Sequence, residues 1–283
     1  LLWSAKRRLP FALALAGCLL APRFADLSGS LLVERSFFGV HRVRHLPAEG
    51  LMVLFNGTTL HGAQSTRPGE ERLPLTYYGP AGPFGRFFAA FAGRPAEGAA
   101  VRVLGLGTGA LACYARPGET WTFHEIDPAV ERLARDARWF RFMADCGNGP
   151  GVVLGDARST LAEAAGRYDL IVVDVFSSDS VPVHLLTREA LALYFARLKP
   201  GGTVLFHVSN RYLDLVPVVA RLAADAGAPA RHLLVPPAGD VVRESGGEVV
   251  AVAARSTDPA VAGSMSSVRP ETVSASVSAP TSP

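Results

Sequence analysis

Cysteine is scarce in this chain of 283 residues, and the few present do not pair by spacing. Cys18, Cys113 and Cys146 lie far apart, are odd in number and form no Cys-x-x-Cys. Neither a disulfide framework nor a zinc site is therefore expected, no metal is called for, and a reduced, cytosol-facing domain is the plain reading. An excess of one charge is lacking too. The net charge is +3, part of it in Lys6-Arg7-Arg8, and no basic stripe interleaved with aromatics exists. Nucleic acid is not indicated as a partner. A Gly-Lys-Ser/Thr sequence is absent, which argues against a phosphate-cradling P-loop. The apolar run Leu9 to Ala21 covers 13 residues, short of the roughly 20 of a spanning helix. Three readings of it stay open: the remnant of a membrane helix, a signal-like segment in which Leu15-Ala16-Gly17-Cys18 matches a lipoprotein box, or a buried or amphipathic helix.

Apolar residues are not lacking: at 49% of the chain they can fill a large core. The chain divides by pattern. Residues 1–30 form the apolar segment. Residues 31–80 read as a small β-domain, with β-rich stretches Phe37 to Val43 and Leu51 to Phe55 and a hairpin signal at Asn56-Gly57. Residues 81–254 alternate strand and helix patterns. Residues 255–283 are rich in Ser, Pro, Ala, Thr and Val without periodicity, which predicts a disordered tail.

The third zone predicts an α/β domain with a doubly wound parallel sheet. Strands are expected at Val101 to Leu104, Trp121 to Ile126, Val152 to Leu154, Asp169 to Val175 and Thr203 to Val208. Helices are expected at Pro128 to Arg138, Ala157 to Ala165, Thr187 to Leu198 and Tyr212 to Ala226. Lys199-Pro200-Gly201-Gly202 reads as a helix stop, and His232 to Val235 with Glu248 to Ala253 as a final hairpin.

Sheets of this kind bind ligands beyond the carboxyl ends of their strands, and four strand ends here carry suspicious residues. The first runs into Gly105-Leu106-Gly107-Thr108-Gly109, where glycines permit a tight turn and a close approach of backbone to ligand. The spacing lacks the third glycine of a nicotinamide-binding loop. The second ends in Glu125, 16 residues after Gly109, where an acid can accept both ribose hydroxyls. Asp127 reads as a helix N-cap before Pro128. The third ends in Asp156-Ala157, an acid and an amide suited to the edge of an adenine, with an N-cap as the plainer role for Asp156. The fourth ends in Asp174, costly on a buried strand unless paired or used. A carboxylate there can hold an amine and take its proton as the amine attacks. Asp179 is a further candidate to contact the amine.

Taken together, Gly105 to Gly109, Glu125-Ile-Asp-Pro128, Gly155-Asp-Ala157 and Asp169-Leu-Ile-Val-Val-Asp174 resemble the spermidine synthase family of polyamine aminopropyltransferases. Arg35 to Val43, Asn56 to Gln64 and Leu75 to Pro80 look like that family's N-terminal β-domain. The whole is most similar to the bacterial branch in which this domain follows membrane helices. The resemblance implies a methyltransferase-type Rossmann-like domain behind a small β-domain, on the cytoplasmic side and tethered to the inner membrane, and a homodimer. It implies transfer of the aminopropyl group of decarboxylated S-adenosylmethionine to putrescine or a similar small amine. By motif, Glu125 binds the ribose, Asp156 the adenine side and Asp174 the amine proton, while Gln64, Tyr77 and Tyr78 line the channel. Thr108 stands where the family's first loop has an acid. That difference motivates an alternative, methyl transfer from intact S-adenosylmethionine; a non-catalytic nucleoside-binding domain is the third reading.

Overall fold

The computed structural model describes residues 8–27, 29–92, 97–147, 149–175, 181–210, 212–237 and 246–254. Helix α1 (Arg8–Leu27) leads into a four-stranded antiparallel sheet of β1 (Ser30–Arg35), β2 (Val40–Leu46), β3 (Leu51–Asn56) and β4 (Thr59–Ser65), ordered β1-β2-β3-β4. Asn56 pairs with Thr59 across the turn expected at Asn56-Gly57. After α2 (Pro83–Phe91) come β5 (Ala100–Leu104), β6 (Thr120–Glu125), α3 (Pro128–Arg135), α4 (Phe142–Asp145), β7 (Gly151–Leu154), α5 (Ala157–Glu163) and β8 (Tyr168–Val173). The chain closes with α6 (Arg188–Arg197), β9 (Leu198–His207), α7 (Val216–Asp225), β10 (Ala230–Val235) and β11 (Gly247–Ala253).

These later strands build a seven-stranded sheet in the order β10-β11-β9-β8-β5-β6-β7. Its strands β5 to β9 pair in parallel, and the expected final hairpin adds β11 antiparallel to β9. Sequence order reverses between β5 and β8, so a crevice opens where β5 and β8 end.

Strand β8 shows why the sheet lies in the middle. Leu170 and Val172 face one core, with Phe84, Phe88 and Trp121, while Ile171 and Val173 face the other, with Leu161, Tyr194 and Phe206. Successive side chains of a strand point to opposite faces, so an unbroken apolar run suits a strand covered on both sides. Phe84, Phe88 and Phe91 recur at helical spacing on α2 and fill the first core. On the second, α6 buries Ala190, Leu191 and Tyr194. Thr187 caps α6, its side chain accepting the Ala190 amide at 3.2 Å. Thr187→Ala should cost about 1 kcal/mol, read as a drop in the denaturant midpoint at unchanged m.

The two sheets are locked together. Val43 and Leu54 of the small sheet pack on Leu133 and Phe140. Beside them His41 donates to Asp127 at 2.7 Å, both side chains being almost fully buried. As expected, Asp127 also caps α3 by accepting the Ala129 amide at 2.9 Å.

Four expectations need correction or limits. Cys113 and Cys146 form a disulfide, because the fold brings the 3-10 turn Ala110–Tyr114 against α4 with the two Cα atoms 4.8 Å apart. Their separation of 33 residues gave no hint of this proximity. The helix before Lys199 stops as expected, but Leu198 already pairs with Tyr168, and residues 199–202 bulge out before Thr203 meets Leu170. Among the described residues no helix is long and apolar enough to cross a membrane. In α1, Leu9 and Leu13 are exposed. The tail at 255–283 lies outside the described residues.

Candidate active site

At the crevice between the ends of β5 and β8 lies a cavity of about 400 Å³, within the range of small-molecule sites. The first piece of its wall is the glycine loop. Gly105 has φ +98°, and a Cβ there would fall 1.9 Å from the Asp174 carbonyl oxygen, so only glycine lets the two strand ends meet this closely. Gly107 abuts the His61 carbonyl, with a built Cβ at 3.1 Å. In β4, Leu54 pairs with Gly62 and Phe55 with Leu60, which leaves His61 as a bulged residue on the cavity wall.

Glu125 closes β6 and is buried. Its two oxygens accept the amides of Leu106 at 3.0 Å and Asp127 at 2.9 Å, tying the glycine loop to the next helix. Burial pushes its carboxyl up to about 7, against the lowering effect of those amides. Asp156 caps α5 through the Ser159 amide at 2.9 Å and meets His184 at 2.9 Å. Burial opposes its ionisation, but the Ser159 amide and His184 outweigh this and hold the carboxyl below its usual value.

Asp174 follows β8 and lines the cavity. Its Oδ2 accepts the Tyr78 hydroxyl at 2.6 Å, and its Oδ1 meets His207 Nδ1 at 2.8 Å. Tyr77 and Tyr78 pack at 4.3 Å between ring centroids. Burial first, and then the charge of Asp174, push both phenols well above their ordinary value, so both stay protonated.

Gly105, Gly107, Glu125, Asp156, Ala157 and Asp174 therefore share one cavity, and Tyr77 and Tyr78 join them. Two expected residues stand off its wall. Gly109 turns in the left-handed region, with Met143 where a Cβ would be at 2.7 Å. Gln64 is spent on loops: it donates to the Glu71 carbonyl at 2.6 Å and accepts the Arg141 amide at 2.8 Å. Thr108 is fully buried and faces Gly62 of β4 rather than the cavity. Asp179 lies outside the described residues. Among the described residues no group of three or more His, Cys, Asp or Glu is arranged to hold a metal.

The histidines were not anticipated. Five of the chain's seven, His41, His61, His124, His184 and His207, line the cavity. One signal was available: His207 ends the apolar stretch Val204-Leu205-Phe206, just as Asp174 follows that of β8. Burial first, and then the Arg102 charge, bring the His124 imidazole down to about 4, so it is neutral at neutral pH.

A loop of glycines and the acids Glu125 and Asp174, gathered at a switch point, form a cleft where Rossmann-like sheets hold their ligands. No protein-family model matches the chain. Over 121 residues it is 33% identical to a polyamine aminopropyltransferase of Vibrio vulnificus (strain CMCP6), covering 40% of this chain and 39% of that one. Over 110 residues it is 29% identical to a probable polyamine aminopropyl transferase of Bifidobacterium longum (strain NCC 2705), covering 38% and 23%. The chain thus matches less than half the length of either curated relative. The fold is similar to the crystal structure of spermidine synthase from Thermotoga maritima, with a TM-score of 0.59 at 16% identity, over 81% of this chain and 74% of that one. In sequence and in fold, then, the chain resembles the spermidine synthase family.

Proposed function

We propose that the cleft transfers the aminopropyl group of decarboxylated S-adenosylmethionine to putrescine or a similar small amine. The observation that carries this reading is Asp174, largely shielded from solvent at the switch point and held by Tyr78 and His207 beside the glycine loop. The likeness to polyamine aminopropyltransferases supports it.

In the reaction, the amine nitrogen forms a bond to the carbon beside the sulfonium. The carbon–sulfur bond breaks, its electron pair returns to sulfur, and methylthioadenosine leaves as a neutral thioether. No acid is needed for that departure. What is needed is an unprotonated amine, since alkyl amines titrate near the lysine value of about 10.4. Asp174 holds the ammonium and accepts its proton. Glu125 accepts the ribose hydroxyls, Asp156 and the Ala157 amide take the adenine edge, and Tyr77 and Tyr78 flank the reacting carbon. Asp179 is assigned to the amine on its spacing from Asp174 alone.

Incubating the purified chain with decarboxylated S-adenosylmethionine and a panel of amines should release methylthioadenosine with at least one of them. Silence with every amine overturns the reading. Methyl transfer from intact S-adenosylmethionine in the same panel would favour the alternative that Thr108 suggested.

A further inference from the structure

Asp174 is held from two sides, and one of its holders comes from a strand with no expected role. His207 is the last residue of β9, and Asp174 follows the neighbouring strand β8, so the two meet across one inter-strand gap at the carboxyl edge of the sheet. A carboxylate only accepts, so the 2.8 Å contact is a bond donated by Nδ1–H of His207 to Oδ1. The pair is nearly closed to solvent, with side-chain exposures of 6% for His207 and 10% for Asp174.

The imidazole is itself fixed. It lies against Tyr77 at 4.6 Å between centroids and meets the edge of Phe84 at 5.4 Å. Tyr78, which holds the other oxygen of Asp174, packs on the same Phe84 at 5.3 Å. One aromatic cluster thus carries both donors. A carboxylate gripped at one oxygen can still swing about its Cβ–Cγ bond, whereas one gripped at both keeps a single plane. Each oxygen retains lone-pair capacity for a further donor.

We propose that His207 is a positioning residue for the transfer, its Nδ1–H holding Asp174 in the plane in which the carboxylate receives the proton of the acceptor amine. The proposal rests on the reading of Asp174 as the amine-activating group. It adds no step to the reaction: the proton still goes to Asp174 and the electron pair to sulfur. It concerns the geometry on which a proton transfer of this kind depends, which is worth about 10²–10⁴-fold when fully in place.

Two variants separate positioning from packing. His207→Phe keeps the aromatic stack and loses the N–H. His207→Asn offers an amide N–H at a reach similar to Nδ1 and loses the stack. Positioning predicts that His207→Phe lowers kcat roughly ten- to thirtyfold, with KM for the donor within about threefold. It also predicts that His207→Asn keeps more of kcat than His207→Phe, although less of the thermal stability. A packing role predicts the opposite order in kcat, and that order overturns the proposal. Should the wild-type chain turn over no amine, the functional reading fails first. The contact is then read by ¹⁵N spectroscopy of the imidazoles, with the His207 signal assigned from its loss in His207→Asn. An Nδ1-protonated signal that shifts in Asp174→Asn upholds the positioning contact, and an unmoved signal overturns it.

Discussion

Asp174→Asn should lower turnover about 10²–10⁴-fold while leaving methylthioadenosine affinity within about threefold. The substitution keeps the size and shape of the side chain and removes its charge. An uncharged amide cannot take the proton of an ammonium, so the attacking nitrogen stays protonated at neutral pH and lacks its lone pair. Nucleoside binding is spared because its contacts are assigned to other strand ends, at Glu125 and Asp156. A smaller structural cost accompanies the kinetic one. The wild-type carboxylate accepts from Tyr78 at 2.6 Å and His207 at 2.8 Å. An asparagine presents one oxygen and one NH₂, so one of these two donors loses its acceptor, at a cost of about 1–3 kcal/mol for a buried group. Methylthioadenosine release, calorimetry with methylthioadenosine and a melting curve measure the three effects separately. A loss of turnover below tenfold would sink the role of Asp174, whatever happened to stability.

The parts of this site that could be read from the sequence are those whose reason is local. Asp127-Pro128 and Asp156-Ala157 carry cap chemistry within three residues, and both acids do accept the amides of Ala129 and Ser159. Strand β8 announces itself because Leu170 to Val173, covered on both faces, run without a polar residue up to Asp174. Asp174 stood out for the same reason. What stayed hidden is set by contacts between distant segments. His207 is 33 residues from the carboxylate it holds. Cys113 and Cys146 gave no pairing signal, since only the packing of α4 on the turn after the glycine loop brings them together. Gln64 looked like a channel residue because it lies in a stretch resembling one. In β4 its side chain bonds instead to the Glu71 carbonyl and the Arg141 amide, contacts set by segments distant in sequence. Thr108 misled in the opposite way: its position in the loop suggested a vacancy for an acid, yet its side chain is buried under Gly62.

Glu125 should make nucleoside binding depend on pH, and Glu125→Gln should abolish that dependence. Burial pushes the Glu125 carboxyl from the model-compound value of 4.5 up to about 7. A carboxyl raised in the folded state binds more protons there than in the unfolded chain. The free protein therefore loses stability as pH rises from about 4.5 to about 7, by up to roughly 3 kcal/mol from this group. The amides of Leu106 and Asp127 already moderate the cost of the charge. Two ribose hydroxyls donating to the same carboxylate would favour its ionised form further, so binding must expel the proton wherever the free protein retains it. Affinity for methylthioadenosine should accordingly rise with pH, at most tenfold per unit below about 7, and level off above it. At pH 6, titrations in buffers of different ionisation enthalpy should show up to about one proton released per nucleoside bound. Glu125→Gln keeps the shape and removes the charge. At pH 8 it should weaken binding about a hundredfold, the worth of hydrogen bonds to a charged acceptor, and leave what binding remains flat with pH. A wild-type affinity that does not change between pH 5.5 and 8 would overturn this coupling between the Glu125 proton and nucleoside binding.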